Sequence, residues 1–238
     1  FSLMIAVWTT LQVQTAEIER EQKIIDLNEA VEGERKRNLQ IAMQTIISIC
    51  HAVEAKDPYT NEHSLRVARY VKMIAQELGW DEEKQRNIYV ASLMHDIGKI
   101  GVPDEILKKP DHLTDEESKI IKRHPEIGYS IMKDFNAIEN AAEGVLYHHE
   151  RYDGKGYPRQ LKGEQIPLYG RIIAVADAFD AMNSNRIYRQ AGQKEYIVEQ
   201  IRNGIGTQFD PKIAEIFLKL IEEGKITFWE EDEKNIDF

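Results

Sequence analysis

The residues best suited to chemistry in this sequence are histidines and aspartates that stand at helical spacing from apolar residues. His63 precedes Val67 by four positions, and Asp177 follows Ile173 by four. Residues four apart share one face of a helix, so both polar side chains are expected to face the interior of the protein. Helical spacing from apolar residues is found on five separate predicted helices, which carry His63, His95, His124, His148 and Asp177.

Two pairs of adjacent residues extend this set and indicate a metal centre. His95 is followed by Asp96, and His148 by His149, near the predicted ends of their helices. A single histidine on an apolar face is usually structural, but several buried imidazoles and carboxylates are costly unless they share a metal or a hydrogen-bond network. Imidazole and carboxylate ligands together suit transition metals such as iron, manganese, zinc or nickel.

The composition limits the class of protein and of partner. With 238 residues, 42% of them hydrophobic and 30% charged, the chain is long enough for a buried core and reads as globular. Its net charge of −10 argues against a nucleic-acid polymer as partner. Cys50 is the single cysteine, which fits a cytoplasmic location, and its apolar neighbours predict a buried thiol. His51 and His112 lack the placement of the other histidines and are expected to be structural or surface residues.

Helix signals fill the chain, so the predicted fold class is all-α: a helical bundle preceded by a long N-terminal connecting helix. Thr60, Asp81 and Asp210 are predicted N-caps, and Thr114 with Glu117 predicts a capping box. Helices are predicted over residues 137–150 and 172–182, among others. Residues 152–168 are rich in glycine and proline, and we expect a loop there that could contain a short hairpin.

The N-terminal residues are expected to form a separate element. We predict a helical connector over residues 1–45 and a catalytic domain over residues 46–238. Leu11, Ile18 and Ile25 are seven positions apart, as in one seam of a coiled coil, and Glu32 interrupts the repeat. This pattern predicts a homodimer held by the N-terminal helix. The alternative is a solvated helix that packs on its own domain.

The beginning of the chain suggests that it is a fragment. The first residue is Phe1, and the apolar stretch over residues 1–8 is shorter than the roughly 20 residues that span a bilayer. We expect a missing upstream segment, either a transmembrane helix or a sensor domain. The catalytic part is then cytoplasmic, and a tether to the inner membrane is one arrangement that this allows.

The ordered motifs resemble those of the HD-GYP family, a branch of the HD phosphohydrolase superfamily. After His63 come HDIGKIGVPDEIL from His95, HPEIG from His124, HHERYDGKGYP from His148 and ADAFDAM around Asp177. The resemblance runs over about residues 46–217. An HD dipeptide alone would be weak support, whereas the complete ordered set is specific. The resemblance implies an enzyme that hydrolyses the bacterial second messenger cyclic di-GMP to pGpG or GMP.

The resemblance also implies roles for individual residues. It implies two divalent transition-metal ions, iron or manganese, which would activate a water as the nucleophile. Asp96 would bridge the metals as a catalytic residue, and Lys99 would be both catalytic and substrate-binding. Arg186 and Arg189 would contact substrate phosphates, and Tyr157 lies in the loop that closes over the substrate. The implied metal ligands are His63, His95, Asp96, His124, His148, His149 and Asp177.

The sequence departs from the family pattern at three positions. Some members carry a glutamate four residues before the first histidine and use it for a third metal, but that position is Tyr59 here, which favours two metals. Gln160 replaces a common glycine and Ile187 a common proline. None of these changes removes an implied ligand, although the last two could alter the loop and the substrate preference.

Two other functions remain open at this point. The first is an HD hydrolase for another nucleotide, such as cyclic GMP-AMP or a guanosine polyphosphate, which sequence motifs do not separate from cyclic di-GMP. The second is a degenerate module that senses cyclic di-GMP or docks a diguanylate cyclase. A degenerate member would be expected to lose ligands, and this chain retains the full implied set.

Overall fold

The computed structural model describes residues 1–57, 62–135, 138–184 and 193–228, and the regular structure in these ranges is helical. No strand occurs among them, which confirms the all-α prediction. Short 3₁₀ turns lie at Ile97–Gly101 and Gly163–Gln165. The α-helices are α1 (Ser2–Glu54), α2 (His63–Glu77), α3 (Glu82–Leu93), α4 (Asp104–Leu107), α5 (Asp115–Ile121), α6 (His124–Met132), α7 (Ala141–Tyr147), α8 (Leu168–Asn183), α9 (Gln193–Asn203) and α10 (Pro211–Glu222).

The chain divides into two units, Phe1–Thr45 and Ile46–Phe238. The first unit is the larger part of α1, the long N-terminal helix that the sequence predicts. Many of its large apolar side chains are exposed, including Leu11, Ile18 and Ile25. Among the helices described, none contains a stretch that is long and apolar enough to cross a membrane.

The core of the second unit lies between α2, α3, α7, α8 and α10, with α2 packed against both α3 and α8. Val67 and Ile74 on α2 are fully buried, as expected for residues seven apart on one helix face. Tyr70 meets Phe179 and Phe217 edge to face, with ring centroids 5.3 and 6.2 Å away, and Phe179 meets Phe217 edge to face with centroids 5.0 Å apart. Such arrangements place a positive ring edge on a negative ring face, which stabilises the packing beyond area burial. This core fixes the helix ends that carry the candidate site.

Helix caps follow the sequence prediction where the structure describes them. The Asp81 side chain accepts a hydrogen bond from the first turn of α3, and Asp210 does the same for α10. Thr114 and Glu117 form the predicted capping box at the start of α5. Each satisfies a backbone N–H that the helix itself leaves unpaired. The predicted cap at Thr60 lies outside the described residues.

Two helices have bounds that differ from the prediction. The helix predicted over residues 137–150 is shorter, because Asn140 begins α7 in a left-handed conformation (φ 61°) and the chain leaves the helix after Tyr147. The helix predicted over residues 172–182 begins earlier, since Pro167 precedes its first residue and proline suits a helix start. The early end of α7 matters for function because it frees the adjacent histidine pair from the helix.

Residues 152–168 form turns instead of the short hairpin that the sequence allowed. Gly154 and Gly163 adopt left-handed conformations, with φ of 82° and 61°, which turn the chain away from an extended course. The backbone N–H of Asp153 donates to the carbonyl of Thr207 at 2.7 Å, which ties the loop to another loop, and the N–H of Gly163 donates to the carbonyl of Tyr152 at 2.9 Å. We call residues 152–168 the glycine-rich loop.

Candidate metal centre

The seven predicted ligands come together inside the second unit, and most lie at the ends of helices. A side chain at the end of a helix can reach a shared centre that is out of reach from the middle of the same helix. Two ligands begin helices, four follow the end of a helix within a few residues, and one lies within a helix. In that order they are His63 on α2 and His124 on α6; His95 and Asp96 after α3 and His148 and His149 after α7; and Asp177 on α8.

Two glycines allow the segment after α3 to lie against α6. A Cβ on Gly98 would overlap the carbonyl oxygen of His124 and lie 2.5 Å from the nitrogen of Gly128. A Cβ on Gly128 would lie 2.6 Å from the Val145 side chain. Such distances are not compatible with a side chain unless the backbone moves. The glycines of the HDIGK and HPEIG motifs therefore allow the two backbone segments to lie close together, which places Asp96 beside His124.

The ligand atoms fall into two clusters, each with all its atoms within 4.8 Å of one another. We call them the four-residue cluster and the three-residue cluster. The adjacent residues His95 and Asp96 belong to different clusters, and the His95 Nε2 lies 3.5 Å from an Asp96 carboxylate oxygen. The two clusters are thus neighbours joined by one peptide bond. The four-residue cluster is Asp96, His124, His148 and His149, and the three-residue cluster is His63, His95 and Asp177.

Three of the histidines are oriented in the same way by their own helix turns. The Nδ1 atoms of His95, His124 and His148 lie 2.7, 2.8 and 2.7 Å from the backbone carbonyl three residues earlier. A carbonyl can only accept, so Nδ1 carries the proton and a neutral ring presents the lone pair of Nε2 to the cluster. This is the usual arrangement around metal-bound histidines, where a partner on the second nitrogen fixes both tautomer and orientation.

His63 is oriented by a buried carboxylate that sequence reasoning missed. Its Nδ1 lies 2.7 Å from Asp180, which is fully buried and also receives hydrogen bonds from Arg66 Nε at 2.8 Å and Nη2 at 3.0 Å. A signal was present, because Arg66 follows His63 by three positions and Asp180 follows Asp177 by three. Each pair therefore lies on one helix face, and the two faces meet.

The arrangement fits a bound cation. The Nε2 atoms of His124 and His148 are 3.2 Å apart, and two lone pairs facing each other at that distance repel unless positive charge lies between them. The Nε2 of His95 is buried and makes no hydrogen bond to any residue that the structure describes. A buried unpartnered nitrogen is costly, and coordination to a metal would satisfy it. Mixed imidazole and carboxylate donors suit a divalent transition metal.

Burial and neighbouring charge set the protonation states in the clusters. Burial lowers the pKa of His148 well below its ordinary value and that of His149 to about 4. Burial alone would raise the pKa of Asp96, but Lys99 and the nearby imidazoles hold it well below its usual range. Burial would lower the pKa of His63, but Asp177 and Asp180 raise it to about 10. Asp96 is thus charged and the pair His148 and His149 is neutral at pH 7, which are the states that bind metals, whereas His63 is protonated and would release a proton on binding a metal.

Lys99 lies beside the four-residue cluster and forms ion pairs with two carboxylates. Its Nζ is 2.8 Å from Asp96 and 2.9 Å from Asp57. Burial would lower the pKa of the ammonium group, but these two carboxylates more than offset that effect and raise it. The lysine is therefore fully charged next to the ligand atoms, where a substrate phosphate could meet it.

The remaining predicted residues divide between described and undescribed parts of the chain. Tyr157 lies in the glycine-rich loop with its ring stacked on His149, the ring centroids being 4.8 Å apart. Arg186, Arg189 and Tyr59 lie outside the described residues. His51 and His112 are exposed, and Cys50 is 4% exposed with its Sγ donating to the Leu93 carbonyl, as the sequence predicted for all three.

Comparison with known proteins finds a family and several relatives. The family model described as HD domain matches residues 48–213. The cyclic di-GMP phosphodiesterase response regulator RpfG of Xanthomonas campestris pv. campestris (strain 8004) is 39% identical over 202 residues, which cover 84% of this chain and 51% of that protein. A cyclic di-GMP phosphodiesterase of Thermotoga maritima is 45% identical over 172 residues, with 71% and 47% covered.

A third relative is named for a different cyclic dinucleotide. The 3'3'-cGAMP-specific phosphodiesterase 2 of Vibrio cholerae serotype O1 is 37% identical over 182 residues, which cover 76% of this chain and 35% of that protein. The chain thus spans about half the length, or less, of these curated relatives. From the family match and the ordered motifs, the chain belongs to the HD domain family, in its HD-GYP branch.

Proposed function

We propose that this chain is a metal-dependent phosphodiesterase that hydrolyses cyclic di-GMP to pGpG or GMP. The observation that carries the proposal is the pair of adjoining clusters, in which seven imidazole and carboxylate side chains offer ligand atoms within 4.8 Å of one another in each cluster. Relatives named as cyclic di-GMP phosphodiesterases support the choice of substrate. The two metal ions are iron or manganese in this proposal, because both accept mixed nitrogen and oxygen ligands.

In this mechanism, two metals held by the clusters would polarise the phosphodiester and acidify a water. The chain would contribute the buried Asp96 and the partly exposed Asp177, whose negative charges would offset the metal charge. Asp96 lies between the clusters, 3.2 Å from His124 and 3.5 Å from His95, so its carboxylate would be within reach of a metal held by either cluster. Lys99, positioned by Asp57, provides an ammonium group for a phosphate oxygen.

Metal content and turnover test this proposal together. We expect about two metal ions per chain and turnover of cyclic di-GMP. His148→Ala should lose metal and turnover, whereas His112→Ala changes an exposed histidine and should lose neither. Asp96→Ala should empty or unbalance the centre, while Lys99→Ala should weaken turnover with metal retained. A protein without metal that added iron or manganese does not activate would contradict the proposal.

Cyclic GMP-AMP is the second candidate substrate. The relative named 3'3'-cGAMP-specific phosphodiesterase 2 covers 76% of this chain at 37% identity, close to the identity of the first relative. Both dinucleotides contain two phosphodiesters, and metals held by the two clusters would act on that shared group. Turnover of equal concentrations of the two substrates in competition would decide between them, with faster consumption of cyclic di-GMP expected.

The proposed assembly is a homodimer that acts in the cytoplasm and is held by the N-terminal helix. Leu11, Ile18 and Ile25 are exposed at 55%, 66% and 50%, and pairing with a second copy would bury them. Ile18→Glu should weaken the dimer, whereas Val13→Glu alters an equally exposed residue outside the seam and should not. Light scattering across a concentration series measures this. Equal effects of the two substitutions would contradict the seam.

A further inference from the structure

His149 differs from the other four histidines of the clusters in how its ring is held. His95, His124 and His148 use Nδ1 on backbone carbonyls, and His63 uses Nδ1 on a carboxylate. Among the residues that the structure describes, none provides such a hydrogen bond to His149. Its side chain is also less buried than those of the other members of the four-residue cluster. A ligand histidine without a partner on its second nitrogen needs another source of orientation.

Tyr157 orients the His149 ring by stacking on it. Its ring stacks on the His149 imidazole with centroids 4.8 Å apart and an angle of 30° between the planes. On other sides the imidazole meets the His124 ring edge-on at 5.0 Å and the His148 ring at 4.0 Å. The backbone N–H of Tyr157 also donates to the His149 carbonyl at 3.2 Å. The imidazole is therefore confined between the tyrosine ring and the rest of the cluster.

Glu150 holds the segment that carries Tyr157. It directly follows His149, is 3% exposed, and accepts hydrogen bonds from two backbone N–H groups of the glycine-rich loop. Its Oε1 accepts from Arg159 at 2.6 Å and its Oε2 from Leu161 at 3.1 Å. A buried carboxylate that accepts two backbone hydrogen bonds is a strong local constraint, because losing it leaves both donors unsatisfied.

Close packing strengthens the same constraint. A Cβ on Gly156 would overlap the Arg151 backbone nitrogen and would lie 2.6 Å from both the Glu150 Cα and the His149 carbonyl oxygen. The loop backbone thus lies directly on the backbone that carries the histidine pair. Only glycine fits at position 156 at this distance, so the loop has a defined position against the cluster.

We propose that Tyr157 is a positioning residue for His149, in the role that carbonyls and a carboxylate play for the other histidines, and that Glu150 holds Tyr157 in place. This proposal rests on the metal centre of the proposed function but not on the identity of the substrate. It assigns the GYP tyrosine a contribution to metal binding in addition to the substrate-side position that the family resemblance implies. The ring is what matters, because the stacking does not involve the hydroxyl group.

The first test is manganese titration of the metal-free full chain by calorimetry. Tyr157→Phe keeps the ring and should bind two Mn²⁺ ions as the unmodified protein does. Tyr157→Ala removes the ring and should weaken one of the two sites by roughly 10–100-fold, the range for losing an outer-shell partner. The other site should weaken by much less, because His149 belongs to only one cluster and the second cluster is affected only through the segment that the two clusters share.

The second test uses two glutamates that both contact Arg159. Glu150→Gln removes one carboxylate oxygen that accepts from the loop backbone, whereas Glu126→Gln removes an ion pair to the Arg159 side chain at 3.2 Å. We expect Glu150→Gln to weaken the same single Mn²⁺ site that Tyr157→Ala weakens, and Glu126→Gln to weaken neither. This pair also decides the matter if Tyr157→Ala does not fold.

The outcomes separate this proposal from the proposed function. An unmodified protein that binds no Mn²⁺ would refute the metal centre itself. Two Mn²⁺ sites that Tyr157→Ala and Glu150→Gln leave unchanged would refute the positioning role and leave the metal centre intact. Equal weakening by Glu150→Gln and Glu126→Gln would likewise refute the role of the Glu150 hydrogen bonds.

Discussion

The buried carboxylate of Asp180 offers the sharpest single test of the architecture around the site. Asp180→Asn keeps the shape but removes the charge that faces His63 Nδ1 at 2.7 Å and Arg66 Nε at 2.8 Å. Arg66 is 9% exposed, so water replaces little of what is lost. Breaking a buried ion pair from one side costs about 3–5 kcal/mol, and because asparagine retains part of the hydrogen bonding we expect about 3 kcal/mol.

Thermal unfolding of the metal-free chain measures that cost directly. For a unit of this size about 3 kcal/mol corresponds to a fall in Tm of about 6–12 °C. The matched control is Glu222→Gln, which removes an ion pair to Arg202 at 3.2 Å whose side chains are 66% and 58% exposed. Such surface pairs contribute about 0–1 kcal/mol, so the control should unfold with the unmodified protein. Equal Tm values for Asp180→Asn and the control would refute the reasoning.

Three further predictions concern other parts of the second unit. Gly98→Ala should lower Tm and metal content together, because the added Cβ overlaps the His124 carbonyl; retained metal would contradict this. Cys50 should resist alkylation at pH 8 until the chain is denatured, since burial raises the pKa of its thiol to about 12; rapid labelling of the folded protein would contradict it. Lys219 and Lys225 lower the pKa of Glu77 to about 2, so its stabilising effect is present above about pH 4.5 and is lost as pH falls toward 2. The Tm difference between the unmodified protein and Glu77→Gln should therefore vanish at the acidic end, and also in high salt.

Helical periodicity predicted much of the site because ligands and core residues share the same helix faces. His63 and Asp177 could be placed inward from apolar residues four positions away. Asp96 and His149 could be placed at the site because each directly follows a histidine that helical spacing places inward. Grouping into two clusters could not be predicted, because it depends on distances between helices that no local pattern contains.

The missed residues have a common physical reason. Arg66 and Asp180 are charged, and a charged residue in an amphipathic helix is usually solvated. Their burial depends on each finding the other across two helices that are more than a hundred positions apart in the chain. The contact of Gly98 with α6 also could not be predicted from the local sequence. A glycine in a turn more often allows an unusual backbone conformation than a close contact between two segments.

A related reason explains why the loop after α7 does not contain the short hairpin that the sequence allowed. Its glycines and prolines correctly indicated turns, but a hairpin would have required the two arms to pair with each other. One backbone hydrogen bond joins them, from the Gly163 N–H to the Tyr152 carbonyl, but the buried Glu150 carboxylate accepts from two other loop N–H groups and the Asp153 N–H donates to a separate loop. Side chain to backbone hydrogen bonds of this kind compete with regular pairing.

The peptide bond between His95 and Asp96 has a consequence for any attempt to study the metals one at a time. Because these neighbours face different clusters, a shift of the short segment after α3 changes the geometry of both clusters in the same movement. Filling either cluster would stiffen that segment and lower the entropic cost of filling the other. Metal loading should therefore be steeper than for two independent sites. A substitution at either of these two residues then yields a protein with both sites impaired, and never a clean single-metal form.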